Sequence, residues 1–108
     1  MANETSGVNV SAAVPKQAEK NKERHVPRYR VLIHNDDITP MLFVVETLRA
    51  IFQKEEPAAI EIMLTAHKTG IAHVATLPLE QAEFRVDQAH SLARARKYPL
   101  KLTYEPES

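Results

Sequence analysis

Tyr29-Arg30-Val31-Leu32-Ile33-His34-Asn35-Asp36-Asp37-Ile38-Thr39-Pro40-Met41 is the stretch on which the fold turns. Together with Arg28, its first part has the aromatic and β-branched content of a strand ending at His34. Asn35, Asp36 and Asp37 carry short polar side chains that bond to nearby backbone, which stops the strand in a turn. Thr39 is a good N-cap and Pro40 suits the first helical position, so a helix is predicted immediately afterwards. Met41, Val44, Val45, Leu48 and Phe52 then recur at spacings of three and four, the mark of one apolar helix face.

Beyond this helix a second is predicted to open at Pro57, with Ala59, Ile60, Met63, Leu64 and His67 on its apolar side. Gly70, one of only two glycines, is placed to end it in a left-handed conformation. Ile71 to Leu77 reads as a strand, and Pro78 opens a third helix with Leu79, Ala82, Val86, Ala89 and Ala93 at helical spacing. Arg94, Arg96 and Lys97 gather where positive charge suits a helix carboxyl end. Tyr98-Pro99 breaks the helix, and Leu100 to Tyr104 alternates as a last strand. The order β-α-α-β-α-β predicts an α+β domain: a three-stranded antiparallel sheet with three helices packed on one face.

Residues 1 to about 26 are different in kind. They are rich in Ala, Ser, Asn, Lys and Glu, with Val8, Val10 and Val14 scattered among them. Such a stretch buries too little apolar surface to offset its ordering entropy, so a disordered arm is expected there, with the folded domain over residues 27 to 108.

At 108 residues one domain with a modest core is expected. Fourteen Lys and Arg balance fourteen Asp and Glu, so net charge supplies no pull toward nucleic acid or an anionic membrane. Cysteine is absent, which excludes disulfides and thiolate metal sites. No apolar run approaches the roughly 18 residues of a membrane span. The amino terminus lacks a signal-peptide core, and Glu4, Glu19 and Glu23 argue against a transit peptide. A cytoplasmic monomer without cofactor or metal is the expectation.

The densest polar cluster is His34-Asn35-Asp36-Asp37, and His67 stands near the end of the second helix. Element ends can meet, so Asn35, Asp36, Asp37 and His67 can converge on one small target. Two carboxylates, an amide oxygen and a neutral imidazole nitrogen are all acceptors. Beside the apolar Met41, Val44 and Met63 they suit a primary ammonium with an apolar neighbour, such as a protein α-amino group, with a pKa of about 7.7–8.0. Methionine is flexible and polarizable, and lines pockets that take several large side chains. Each feature also has a plainer reading. Asn-Asp-Asp is a turn into a capped helix, His67 a surface residue, and the apolar three are core. A metal-assisted hydrolase built on His34, Asp36, Asp37, His67 and His73 is a further alternative, although no HExxH-like spacing ties those residues together. A general protein-interaction module is another.

Four segments sharpen the choice. Residues 29 to 41 resemble the signature of the ClpS adaptor family, V-x-L-x-N-D-D-x-T-P-M. Ile62 to Gly70 is similar to the family's M-L-x-x-H-x-x-G, and Glu80 to Val86 to its E-x-A-E-x-K-V. Tyr98-Pro99-Leu100 follows in the expected order.

The resemblance implies a non-enzymatic adaptor that grips N-degrons, chain starts with Leu, Phe, Tyr or Trp, and delivers them to a ClpA- or ClpC-like AAA+ unfoldase for degradation. By position, Asn35, Asp37 and His67 would hold the α-amino group, with Asp36 shaping that site. Ile33, Ile38, Thr39, Met41, Val44, Met63, Ala66 and Leu100 would line the side-chain pocket, with Met41 as a gate against β-branched residues. Glu80 and Arg85 would dock on the unfoldase amino-terminal domain, and the arm over residues 1 to 26 would serve hand-over. Leu42, Ala66, Arg85 and Leu77-Pro78-Leu79 depart from the family's usual residues.

Overall fold

Strand β1, Arg28–His34, is the middle strand of an antiparallel sheet of order β2-β1-β3, in a computed structural model that describes residues 26–108. The arm expected over residues 1 to 26 therefore lies, but for its last residue, outside the described residues. The alternation seen in the sequence places Val31 and Ile33 on the helix side, where both are buried. Ile33 lies opposite Ala72 of β2, Ile71–Pro78, and Leu102 of β3, Lys101–Pro106, so three buried side chains cross the sheet in one row. Burying a side chain such as Ile33 fully stabilises the fold by about 1.5–3 kcal/mol. Val31 pairs with Ala75 and Leu32 with His73, which leaves Val74 as an extra, buried residue in a β-bulge.

The other face of the sheet is mostly polar, with Leu32 and Ile71 as apolar members. Arg30 pairs with Glu105, His34 Nε2 meets the Thr103 hydroxyl at 2.8 Å, and His73 Nε2 meets the Thr76 hydroxyl at 2.8 Å. Three helices cover the apolar face: α1, Met41–Phe52; α2, Glu56–Thr69; and α3, Leu79–Ala95. None of the described helices is long and apolar enough to cross a membrane.

Helix α1 begins one residue later than its sequence suggests. Pro40 is the N-cap, and the Thr39 hydroxyl donates to Asp36 Oδ2 at 2.9 Å instead of capping the helix. An ionised carboxylate is a stronger acceptor than a hydroxyl is a cap, so Asp36 organises this helix entry. The buried arc of α1 comprises Phe43, Val45, Thr47, Leu48, Ile51 and Phe52. It is wider than the predicted stripe because α1 packs against both other helices. Met41 is exposed and Val44 half-buried.

The predicted face of α2 is corrected. Ala59 and Ala66 are its buried residues, Ile62 and Met63 are half-buried, and Ile60 and Leu64 point outward. Alanines allow close approach of α1 and β2, so the small residues win the interior. Helix α3 does the same with Ala82, Val86, Ala89 and Ala93, leaving Leu79 exposed. On its inner side His90 Nε2 accepts the backbone N–H of Leu102 at 3.0 Å.

Candidate functional site

The polar turn and the end of α2 meet through one backbone bond. Gly70 follows α2 with φ +95°, the left-handed conformation expected of it, and its N–H donates to the Ala66 carbonyl at 2.8 Å. In that conformation its own carbonyl accepts the N–H of Asn35 at 3.0 Å. His67, in the last turn of α2, is thereby held beside the Asn-Asp-Asp turn.

Asp36 holds the turn from within. Its Oδ1 accepts the N–H groups of Ile38 at 2.8 Å and Thr39 at 2.7 Å, while Oδ2 takes the Thr39 hydroxyl. Partial burial pushes the Asp36 carboxyl up, but these bonds outweigh it and hold the carboxyl below its ordinary value. Asp36 is thus ionised with much of its acceptor capacity committed, whereas Asn35, Asp37 and His67 are exposed.

Between these residues lies a cavity of about 260 Å³. The turn supplies Asn35, Asp36, Asp37, Ile38 and Thr39 to its rim. Met41 and Val44 come from α1, Met63, Ala66 and His67 from α2, while Ile33 and Leu100 reach it from the sheet side. All the residues assigned from sequence to the amino-binding set and the side-chain pocket line this one cavity. His34 and Pro40 line it as well. Sequence reading placed His34 in the polar cluster and in the metal alternative, and Pro40 at the helix start, but assigned neither to the pocket; their position among the signature residues was the available signal. A volume below the roughly 300–1,000 Å³ of drug-sized sites suits one side chain rather than a larger ligand.

One flank of the mouth is thus rich in acceptors, and the walls behind it are apolar. Such a site can accept hydrogen bonds from an ammonium while removing an adjoining apolar group from water.

A family model described as "ATP-dependent Clp protease adaptor protein ClpS" matches residues 24–103. The chain belongs to the ClpS family. The Roseobacter denitrificans ClpS is 46% identical over 90 residues, covering 83% of this chain and 80% of that one. The Bdellovibrio bacteriovorus ClpS is 48% identical over 80 residues, covering 74% of this chain and 70% of that one. Agrobacterium tumefaciens ClpS2, solved bound to L-phenylalaninamide, is 36% identical with a TM-score of 0.75, covering 77% of this chain and 100% of that chain. ClpS proteins are adaptors of the Clp protease, so the biology is regulated proteolysis.

Glu80 and Arg85, named from sequence for docking, lie elsewhere in this ClpS fold, on α3. Glu80 is exposed in the first turn of α3. Arg85, one turn on, donates from its guanidinium to the Ile51 carbonyl at 2.5 Å, tying α3 to the carboxyl end of α1. The metal alternative loses its geometric support. His34 and His73 bond to Thr103 and Thr76, and among the described residues no three His, Cys, Asp or Glu side chains come together as metal ligands.

Proposed function

We propose that this ClpS chain captures proteins by a free α-amino group together with a bulky first side chain that is not branched at Cβ. The observation that carries the reading is the cavity: exposed Asn35, Asp37 and His67 stand at the mouth of an apolar recess of about 260 Å³. In this reading those three residues accept bonds from the substrate ammonium. Asp36 does not reach the ligand; it shapes the turn that presents its neighbours. The first side chain enters between Met41, Val44 and Met63 and ends against Ile33, Ala66 and Leu100, with Ile38 and Thr39 at the lip. Met41, exposed at the rim, excludes β-branched residues by crowding the position of their Cβ branch.

The ligand of Agrobacterium tumefaciens ClpS2 supports this reading, because L-phenylalaninamide carries a free amine beside an aromatic side chain. Substrates starting with Leu, Phe, Tyr or Trp meet both requirements. The captured protein then passes to an AAA+ unfoldase of the ClpA or ClpC type. Glu80, with Arg85 behind it, marks the docking face on α3. The adaptor itself performs no bond chemistry.

Peptides that differ only in their first residue, each with a free and an acetylated amine, test the proposal by fluorescence anisotropy. Free Phe and Leu peptides bind, and acetylation removes donors and charge and abolishes binding. Equal affinity for the acetylated peptides would overturn the reading and leave a general interaction module in its place.

A further inference from the structure

The cavity mouth has a second, apolar flank. Ile38 and Leu42 are 69% and 68% exposed, more than any other large apolar residue among those described, and Met41 between them is 48% exposed. Ile38 and Met41 belong to the cavity rim, whereas Leu42 stands outside it, in the first turn of α1. An apolar strip therefore leads from the cavity onto the adjoining surface. Its contribution to the core is small, as its exposure shows.

We infer that this strip is a second subsite, which takes an apolar side chain at the third residue of a captured chain. The inference rests on the capture reading and extends its substrate class to chain starts of the form bulky-x-apolar. In this inference a chain whose ammonium is seated on Asn35, Asp37 and His67 departs past Met41, which lines the cavity, toward Leu42, the next residue of α1. In an extended chain successive side chains alternate, with about 3.3 Å of rise per residue. The second side chain faces solvent. The third returns to the protein surface about 6.6 Å from the first, beyond the rim and over Leu42. Leucine there removes apolar surface from water on both partners.

Peptides Phe-Gly-Gly, Phe-Gly-Leu and Phe-Leu-Gly, each extended by a common polar tail, separate the outcomes. Phe-Gly-Leu binds roughly three- to tenfold more tightly than Phe-Gly-Gly, the gain expected for burying part of one leucine. Phe-Leu-Gly stays within about twofold of Phe-Gly-Gly, a change under about 0.5 kcal/mol. Leu42→Ser removes the preference for Phe-Gly-Leu and leaves Phe-Gly-Gly affinity unchanged, while Leu42→Met retains the preference. Absence of the preference in the native chain overturns the inference, as does its persistence in Leu42→Ser or its appearance at the second position. A concentration-dependent doubling of mass abolished by Leu42→Ser also overturns it, assigning the strip to a second copy. Failure of Phe-Gly-Gly to bind, or equal binding of its acetylated form, is a different result and strikes the capture reading itself.

Discussion

The N–H of Asn35 donates to the carbonyl of Gly70 over 3.0 Å, and this bond sets the polar turn against the helix that carries His67. Gly70 reaches that geometry only at φ +95°, where an added Cβ would meet nothing within 4 Å. The cost of a side chain there is backbone strain, not collision. Gly70→Ala is expected to lower stability by about 1–2 kcal/mol, and Gly70→Asn by less, because Asn tolerates the left-handed region. Urea denaturation measures both. An alanine variant as stable as the native chain would show that the left-handed turn carries no strain.

Asp36 supplies acceptors to two N–H groups and one hydroxyl. Asp36→Ala leaves these donors to water or unpaired and is expected to cost about 1–3 kcal/mol. Asp36→Asn keeps an amide oxygen and costs less. Because the folded carboxyl titrates below its unfolded value of about 3.9, its ionised form stabilises the fold above that pH. The advantage declines as pH falls through the lower folded value. Denaturation midpoints of native and Asp36→Asn chains should therefore converge in strong acid; a gap that persists unchanged would contradict this.

His90 accepts the Leu102 N–H and must be neutral to do so. Burial lowers its pKa, the charge of Arg94 lowers it further, and Asp87 opposes them. Unfolded, the imidazole takes a proton near pH 6.5, so its full contribution is present above that value. Stability falls as pH drops from there, and the loss levels off below the lower folded pKa. His90→Gln is expected to flatten this part of the stability profile, as read from thermal unfolding between about pH 8 and 4, a range spanning the free imidazole pKa.

His67→Ala tests the ammonium site directly, because it removes an acceptor exposed at the cavity. Most of the affinity for free Phe and Leu peptides should be lost at neutral pH, while the stability of the fold is kept, since the side chain is exposed. Fluorescence anisotropy reads the first and urea denaturation the second. Undiminished affinity in His67→Ala would remove His67 from the ammonium site.

Met41→Ala tests the rim. Shortening that side chain is expected to raise Val and Ile peptide affinity relative to Phe by roughly tenfold, a steric discrimination of about 1–3 kcal/mol. Fluorescence anisotropy on matched peptides reads the ratio. An unchanged ratio would place the barrier to branched residues elsewhere in the cavity.

Local chemistry determined much of this protein from sequence alone. β-Branched alternation in Arg28–His34, the Asn-Asp-Asp stop, the breaks at Pro78 and Pro99, and the left-handed end at Gly70 each depend on residues close in the chain. Through its resemblance to the ClpS signature, the sequence also pointed to residues that line the cavity, though it assigned neither His34 nor Pro40 to it. Tertiary structure alone decided which side of α2 is inside, because periodicity reveals a face without revealing its neighbour. There, close approach favoured Ala59 and Ala66 over Ile60 and Leu64. It also decided that His90 meets Leu102 and that Arg85 reaches Ile51. Those pairings join groups whose partners are chosen by packing and by competition among acceptors, and neither is written in residue spacing.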